Sequence, residues 1–369
     1  MLCLYFPSII PFILYPHAMK TTFTMLFTGL LLLCTLVTLA QTIRRCNNTG
    51  VTGTNIYTTL QAAHDAASNN DIIYLEPTAI TYGNLTCTKV LTIIGNGYYL
   101  AQNPGLQLDL RDALVSSVTF ANGSAGSRIT GCVIDGQMNI GANNIIAERN
   151  RFTTAYCYIG YTPTSGSIGV TNILFRQNII ENGYSVYLYP GSTAATTVSN
   201  VIITNNIIIG NISTPTGQYN RLSNILISNN VIGNLAGTSG NSIEIDNAVI
   251  KNNILTYTGI SNNFTPRNNE YSNNISGNTV FGTANGNQQN IGPAAMFVGG
   301  TASTDGAFAL RPAPNPAIGT GESGTNVGAF GGVNPYRIAG IPNVPTIYQY
   351  NQSVTGNTLN ATISTRSNN

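Results

Sequence analysis

The chain has 369 residues, of which only 8% are charged, and its formal net charge is +2. It contains 48 asparagines and 38 glycines but no tryptophan, while 43% of its residues are hydrophobic. This composition excludes a coiled coil, a nucleic-acid-binding surface rich in basic residues and, because Asn and Gly are poor helix formers, a mainly helical protein.

Residues 21–40 are the first predicted element, an export signal. An apolar run follows Lys20 and ends in small residues, which is typical of a cleaved secretory signal. A membrane anchor is the alternative, but the uninterrupted apolar run is shorter than the roughly 20 residues that span a membrane. Residues 1–18 fit an upstream extension before a start at Met19. We therefore expect a secreted or cell-surface protein that has no membrane span once the signal is cleaved.

Four cysteines remain after this signal, and export would allow them to form disulfides. Four cysteines permit three pairings, and buried free thiols in a large core are an equally good interpretation. If bridges form, Cys46–Cys87 is the first choice, because both residues lie near the N-terminal end. The other two are Cys132 and Cys157.

The best helix candidate of the mature chain is residues 57–67, YTTLQAAHDAA. A strand is predicted at 72–75, and early coils of a repeat at 90–96 and 117–122. A solenoid needs a cover over its open end, so we predict an N-terminal cap over residues 41–70.

A repeat with one fixed asparagine slot dominates the middle of the chain. Its copies include NILFRQNII at 172–180, NVIITNNII at 200–208 and NILISNNVI at 224–232. The slot recurs about every 24 residues, and the leucine-rich pattern of other repeats with this period is missing. The pattern predicts parallel β-helix coils over residues 71–292. Cys132 takes the slot of the first coil, and the later slot residues are Asn150, Asn178, Asn206, Asn230, Asn253 and Asn278.

The register around the slot assigns a direction to each column of side chains. Residues three before and two after the slot should point inward and stack on their counterparts, from Ile129 and Ile134 in the first coil to Ile275 and Val280 in the last. We interpret the slot asparagines as a buried structural ladder at a bend, where they satisfy backbone amides, rather than as catalytic residues.

Two outward columns are also predicted. Glu148 and Arg176 lie two residues before the slot and should be neighbours that pair. Four residues before the slot, a column is apolar over five coils, which is a liability unless the C-terminal segment or a partner chain covers it. If the C-terminal segment does not cover it, we expect an oligomer through Ile146, Leu174, Ile202, Leu226 and Val249.

The repeat fades after about residue 281. Residues 293–345 are rich in Gly and Pro, which excludes regular helix and central strand. Residues 341–348 are apolar enough to pack as an extended strap. We predict a C-terminal closing segment and tail over residues 293–369.

Together these features resemble a known superfamily. The helix followed by DIIYLEP, the phrase LTIIGNGYYL at 91–100 and the asparagine-anchored coils are similar to exported proteins of the pectin-lyase-like superfamily. PNPAIGTG at 314–321 and GAFGG at 328–332 resemble their closing segment. The resemblance implies an all-β protein, a right-handed parallel β-helix solenoid with an N-terminal capping helix and an irregular C-terminal segment. It also implies a groove on one sheet that meets a polysaccharide, although this fold serves lyases, hydrolases and adhesins alike.

Several common active sites lack their residues. The only histidine of the mature chain, His64, lies in the predicted helix, which weighs against Ser-His-Asp, Cys-His and histidine-zinc sites. The polygalacturonase-like motifs are absent. We expect no metal or other cofactor, with calcium as a weak alternative, because no cluster of aspartates is present. Glu244 and Asp246, on one face of a strand, are the nearest approach to paired acids and would otherwise be a solvated edge.

Tyrosines and cations accompany the coils with the longest steps, over residues 149–189. Long loops, aromatic rings and cations together favour contact with a glycan, although they could simply decorate a β surface. The predicted substrate-binding residues are Glu244, Asp246, Tyr156, Tyr158, Tyr161, Tyr184, Tyr187 and Tyr189.

Three functions follow as hypotheses. The first is a polysaccharide-binding surface protein without a recognisable catalytic signature and without a nucleic-acid partner. The second is a polysaccharide lyase, which needs a cation to neutralise a uronate carboxylate and a base to remove a proton. The third is a passive structural spacer. The catalytic candidates for the lyase are Arg149, Arg151, Arg176 and Lys251, which the repeat register places near one another.

Overall fold

The computed structural model describes residues 41–154, 156–191, 193, 196–215, 221–259, 268–300 and 302–368. These residues are mainly short parallel strands stacked into long sheets, as in a parallel β-helix. The predicted parallel solenoid is therefore confirmed, whereas the predicted export signal lies outside the described residues. Within these ranges, no helix is long and apolar enough to cross a membrane.

Three parallel sheets, named A, B and C, form the walls of the solenoid. In spatial order, the strands of sheet A are Ile56–Tyr57, Ile43–Cys46, Ile72–Leu75, Thr92–Ile94, Arg128–Thr130, Ile146–Glu148, Val170–Arg176, Val198–Thr204, Leu222–Ser228, Ala248–Lys251 and Glu270–Ser272. Those of sheet B are Leu85–Cys87, Val118–Phe120, Met138–Ile140, Cys157–Ile159, Val186–Leu188, Ile212–Ser213 and Ile243–Glu244. Those of sheet C are Leu114–Val115, Val133–Ile134, Arg151–Phe152, Ile179–Ile180, Ile207–Ile208, Val231–Ile232, Ile254–Leu255 and Ile275–Ser276.

The other described elements lie outside these three sheets. Among the described residues, Tyr161–Thr162 pairs antiparallel with Gly166–Ser167, and Thr346–Thr355 forms a C-terminal hairpin with Thr358–Arg366. One α-helix of the described part of the chain spans Leu60–Ala66, and short 3₁₀ turns lie at Ala284–Gly286, Pro293–Ala295, Gly306–Phe308, Glu322–Gly324 and Ile338–Gly340.

Inward side chains stack on like side chains from coil to coil. Phe175, Ile203, Ile227 and Ile250 are paired in register along sheet A, and each is fully buried. Branched side chains pack well on a pleated surface, and burying each one contributes about 1.5–3 kcal/mol. The stacked columns therefore form one continuous apolar core through the solenoid.

A buried ladder of asparagines follows the bend between sheets A and C. The Oδ1 atom of Asn178 accepts hydrogen bonds from the backbone N of Asn150 at 2.9 Å and from its Nδ2 at 3.1 Å. The Nδ2 atom of Asn178 in turn donates to Ala147 O at 2.9 Å and to Asn206 Oδ1 at 3.0 Å. The side-chain amides thus satisfy one another and the bend. The rungs are Asn150, Asn178, Asn206, Asn230, Asn253, Asn274 and Asn287.

The last predicted rung, Asn278, is wrong by four residues. Asn253 donates its backbone N–H to Asn274 Oδ1 at 3.0 Å, so Asn274 occupies the slot. The cause is strand pairing, because Tyr271 pairs with Ile250 in sheet A and fixes the bend just after it. Ile275 and Val280 were predicted in the inward columns. Ile275 instead packs outside sheet C, whereas Val280 is partly buried against the main core.

A left-handed backbone conformation recurs at two further places in the coils, and asparagine holds most of these positions, with Arg149 and Gln177 as exceptions. The residue just before a rung has a positive φ, for example 56° at Asn205. The residue six positions before the rung also has a positive φ, for example 51° at Asn200. Asparagine tolerates this left-handed region better than most residues, so the turns explain much of the unusual composition. The column six before the rungs is Asn144, Asn172, Asn200, Asn224, Asn247 and Asn268.

The C-terminal segment packs over the outer face of sheet C. Its Phe297, Phe308 and Tyr336 form a second apolar cluster with outward residues of that sheet. Its carbonyl groups accept hydrogen bonds from residues that precede the rungs. Gln177 Nε2 donates to Pro335 O at 2.6 Å, Asn205 Nδ2 donates to Gly331 O at 2.8 Å, and Asn273 Nδ2 donates to Thr320 O at 3.2 Å. The segment therefore runs back along the solenoid from its last coils to its first.

This segment does not cover the apolar outer column of sheet A. Ile202 and Val249 are 39% and 36% exposed, and the other members of the column are half-buried. The first four members of the column, from Ile146 to Leu226, line a shallow groove of about 470 Å³ together with neighbouring asparagines. Of the two covers expected from the sequence, the C-terminal segment lies elsewhere, and an oligomer through this column stays a prediction.

The four described cysteines are free and buried, which agrees with the interpretation as buried thiols. The conditional prediction of a Cys46–Cys87 disulfide is wrong. Cys46 lies in sheet A and Cys87 in sheet B, and both side chains pack into the main core. Burial raises the pKa of each thiol and keeps it neutral and unreactive.

The helix begins later than predicted. It starts at Leu60, because Tyr57 belongs to the strand Ile56–Tyr57. Thr59 is its N-cap, and the Thr59 side chain accepts a hydrogen bond from Ala62 N at 3.2 Å. Leu60 and Ala63 are fully buried against the main core.

Glu148 and Arg176 pair as neighbours, as predicted, but the Glu148 side chain is fully buried rather than outward in solvent. Arg176 Nε donates to Glu148 Oε2 at 2.6 Å, and Arg128 of the preceding coil binds the other carboxylate oxygen. Burial opposes ionisation of Glu148, but the two guanidinium charges outweigh it and lower its pKa.

Removal of one rung should destabilise the solenoid strongly. Asn206→Ala removes the buried acceptor of the Asn178 backbone N–H and the donors to Phe175 O and Asn230 Oδ1, which we expect to cost about 3 kcal/mol or more. Asn360→Ala, on the exposed C-terminal hairpin, should change stability by less than about 0.5 kcal/mol. Urea denaturation followed by circular dichroism measures both. Equal effects of the two changes would refute the structural role of the ladder.

An ion pair within sheet A and one between sheet A and the C-terminal segment should differ in their contribution to stability. Glu148→Gln should cost about 2 kcal/mol at neutral pH, because it removes a buried carboxylate that two arginines share. Glu322→Gln breaks a pair with Lys251 in which the glutamate is 54% exposed, and should cost less than about 1 kcal/mol. The pKa of Glu148 is lowered, so its contribution is present above the ordinary glutamate pKa and is lost as the pH falls through the folded-state value. Urea midpoints should show the Glu148→Gln deficit shrinking in acid, and a deficit that persists unchanged there would contradict this account.

Candidate functional site

Six tyrosines form one continuous patch on the outer side of sheet B, here called the tyrosine surface. Tyr158 and Tyr187 occupy equivalent outward positions on adjacent strands, and their rings stack with centroids 5.4 Å apart and planes 14° apart. Tyr156, Tyr161 and Tyr189 contact this pair, with centroid distances between 5.5 and 6.2 Å. Tyr184 contacts Tyr156, with centroids 4.9 Å apart. The structure thus brings together all six predicted tyrosines: Tyr156, Tyr158, Tyr161, Tyr184, Tyr187 and Tyr189.

The rings of this surface are half-buried, so each presents part of an apolar ring together with a hydroxyl group. Burial raises the pKa of Tyr158 and Tyr187, which keeps both phenols neutral and able to donate and accept hydrogen bonds. A recess of about 180 Å³ lies among Gln137, Tyr158, Tyr161 and Tyr189. This combination suits a hydroxylated ligand with apolar faces.

Glu244 extends the outward column of sheet B beyond the tyrosines. Tyr187 pairs in register with Ser213, and Ser213 with Glu244. Glu244 Oε1 accepts a hydrogen bond from Ser242 Oγ at 2.7 Å. Asp246 lies past the end of that strand, where its charge acts on Tyr271, so the two acids face different neighbours.

Three of the four predicted catalytic cations are held away from the tyrosine surface. Arg149 is buried at the bend, where its Nε donates to Gln177 Oε1 and its Nη1 to Ile341 O, both at 2.8 Å. Arg176 pairs with Glu148 within sheet A, and Lys251 of the same sheet pairs with Glu322 of the C-terminal segment. Residues close in the repeat register therefore lie on different walls of the solenoid, because the bend turns the chain between them.

Arg151, the fourth cation, interrupts an apolar outward column of sheet C. Its guanidinium carbon lies 4.2 Å from the centroid of the Tyr99 ring. Its Nε and Nη2 donate to Glu181 Oε2 at 3.2 and 3.0 Å, and its Nη1 is 3.7 Å from Asp112 Oδ2. The other members of the column are Leu114, Val133, Ile179, Ile207, Val231, Ile254 and Ile275.

Arg151, Tyr99 and Glu181 line a cavity of about 650 Å³, here called the Arg151 cleft. Burial raises the pKa of Glu181 to about 7, and the charge of Asp305 adds to this effect. A buried carboxyl that titrates near neutral pH beside an arginine in a cleft is a recognised sign of a functional site. Its remaining lining residues are Gln102, Asn182, Gly183, Ile209, Ser239 and Thr304.

Sequence reasoning missed Tyr99 and Glu181. A signal was present, because Arg151 is the lone charge in a column one residue after the slot. Within the described ranges, no group of three or more His, Cys, Asp or Glu side chains could hold a metal ion.

Comparison with protein-family models, curated proteins and solved structures finds no match to this chain. The tyrosine surface and the Arg151 cleft are therefore the features of the molecule that bear on its function.

Titration of Glu181 should make stability depend on pH. Its folded-state pKa of about 7 lies above the ordinary value of 4.5, so the folded protein holds this proton more tightly than the unfolded chain. Stability should therefore fall as the pH rises through this window, whereas Glu181→Gln removes the effect. Between about pH 5 and pH 8, urea denaturation should show the free energy of unfolding of the unsubstituted protein falling by about 2 kcal/mol relative to that of Glu181→Gln. A constant difference between the two proteins would contradict the raised pKa, and Glu322→Gln is the control.

Proposed function

We propose that the protein is an exported right-handed β-helix of the pectin-lyase-like type that binds neutral polysaccharide through the tyrosine surface. The observation that carries this proposal is the contiguous set of six tyrosine rings along the exposed side of one sheet. Aromatic rings pack on the apolar faces of sugars, and phenol hydroxyl groups exchange hydrogen bonds with sugar hydroxyls.

The order of the surface supports binding rather than decoration. Tyr158 and Tyr187 are fixed by strand pairing, and the rings of Tyr156, Tyr161 and Tyr189 pack against them. A braced ring loses little conformational freedom on binding, which favours affinity. Neighbouring strands lie about 4.8 Å apart, so a surface built over successive coils can offer repeated contacts to a polymer.

Charge favours a neutral glycan over a uronate polymer. From Asn139 to Glu244, the outward column of sheet B is Asn, Tyr, Tyr, Ser and Glu, and its one charged member is acidic. An anionic polymer would gain no attraction from this column. Neutral sugars can instead use the hydroxyl groups of its half-buried tyrosines.

The proposal that the protein acts at the cell surface or outside the cell rests on the sequence. Residues 21–40 have the pattern of an export signal, and the resemblance to exported proteins of the superfamily, carried by the sequence motifs, supports the same setting. We propose that the mature chain acts outside the cell, where polysaccharides are available.

Loss of two rings should abolish polymer binding. In native affinity electrophoresis with galactan, xylan, mannan and β-glucan, at least one polymer should retard the protein. Tyr158→Ala and Tyr187→Ala should each weaken that retardation about tenfold, because each removes a stacking ring worth about 1–1.5 kcal/mol. Tyr350→Ala, on the distant C-terminal hairpin, is the matched control and should bind normally.

Two outcomes would contradict the proposal. Retardation by none of the polymers would favour a passive spacer. Formation of unsaturated uronate ends during incubation with polygalacturonate, followed by ultraviolet absorbance, would favour the lyase hypothesis. We expect no such absorbance, because three of the four candidate cations are engaged away from the tyrosine surface and the fourth, Arg151, lies on sheet C.

A further inference from the structure

The Arg151 cleft contains features that packing alone does not require. Seven other members of its column are apolar, and several of them pack under the C-terminal segment. An arginine at that position must be desolvated and paired, which is costly where an isoleucine would fit. A charge kept in such a place suggests a use for it.

Tyr99, whose ring contacts Arg151, has two further features that cost free energy. Its φ is 52°, a left-handed conformation that is a genuine outlier for a bulky residue. Its hydroxyl is buried and has no hydrogen-bond partner among the described residues. Strain of this kind persists where the surroundings enforce it, and it is concentrated at functional sites.

A rigid network holds Tyr99 in place. Its ring meets the Tyr98 ring edge-on, with centroids 5.6 Å apart. The Tyr98 hydroxyl lies 2.7 Å from that of Tyr336, which donates to Asp305 Oδ2 at 3.3 Å. Asp305 is fully buried and also accepts a hydrogen bond from Ala339 N at 2.6 Å. The arginine therefore lies on a fixed aromatic platform.

The ion pair leaves two polar groups unused. Arg151 Nε and Nη2 both donate to the same oxygen, Glu181 Oε2. Within the described residues, Oε1 of Glu181 accepts no hydrogen bond. Arg151 Nη1 is 3.7 Å from the nearest carboxylate oxygen, which is beyond hydrogen-bond distance. The cleft thus offers one acceptor beside one donor.

We propose that the Arg151 cleft is a second ligand site, on a different wall from the tyrosine surface, which binds a neutral sugar ring through two adjacent hydroxyl groups. One hydroxyl donates to Glu181 Oε1 and its neighbour accepts from Arg151 Nη1. Ile209 supplies an apolar wall, and the polar lining of Gln102, Asn182, Ser239 and Thr304 supplies neutral hydrogen-bonding groups. This site does not depend on the tyrosine surface.

Charge around the cleft disfavours an anion. Glu181, Asp112 and Asp305 surround the single cation, Arg151, and two guanidinium donors are already occupied. A carboxylate ligand would face these acids, whereas a neutral diol would not.

Saturation-transfer NMR on the full protein tests the site. The probes are methyl β-D-galactopyranoside, methyl α-D-mannopyranoside and methyl β-D-glucopyranoside, with D-galacturonate as the anionic probe. The double variant Tyr158→Ala/Tyr187→Ala serves as the background, so that signal from the tyrosine surface is removed. At least one neutral glycoside should still give a signal, and galacturonate should give none.

Three further changes in that background locate the signal. Arg151→Gln and Glu181→Gln should each weaken it about tenfold, because each removes a hydrogen bond to a charged group. Ser239→Trp should block the cleft while leaving the ion pair intact, so it tests the site even if the other two variants fold poorly. Arg45→Gln, on the strand Ile43–Cys46 of sheet A, is the matched control and should leave the signal unchanged.

The possible results separate this inference from the proposed function. Absence of signal from all three neutral glycosides, a signal that survives Ser239→Trp, or stronger binding of galacturonate would each overturn the cleft proposal. Polymer retardation that survives the double tyrosine variant would instead overturn the proposal for the tyrosine surface and leave the cleft result standing.

Discussion

The structure depends on one constraint: each residue of a coil lies about one strand spacing from its counterpart in the next coil. A buried polar side chain in such a stack can be satisfied by its own copies. Asparagine meets this condition, because its amide both donates and accepts, and Asn178 binds the rungs on either side of it. Charged side chains stacked in this way would repel, which explains why charge is scarce in the chain.

The bend that carries the ladder also arranges the rest of the molecule. Residues just before the rungs, such as Asn205, turn the chain from sheet A to sheet C and bind carbonyl groups of the C-terminal segment. That segment therefore covers sheet C and leaves the tyrosines of sheet B exposed. It also forms one wall of the Arg151 cleft, through Thr304.

Much of the fold was predictable from the sequence, because a stacked coil repeats its pattern. The slot asparagines from Asn150 to Asn253 follow directly from that repeat, and so does the neighbourhood of Tyr158 and Tyr187. Asn278 was misplaced because strand pairing of Tyr271, rather than local pattern, sets the last bend. The Arg151 cleft as a whole was not predictable, because two of its lining residues, Tyr99 and Thr304, lie outside the asparagine-anchored repeat.

Hydrogen exchange of backbone amides tests the central claim most directly. The backbone N–H groups of Asn178, Asn206 and Asn230 each donate to the side chain of the next rung inside the core. They should be among the slowest amides to exchange, far slower than the exposed strand Thr346–Thr355 of the C-terminal hairpin. Exchange of the rung amides as fast as that of the hairpin would contradict a solenoid held together by its asparagine ladder.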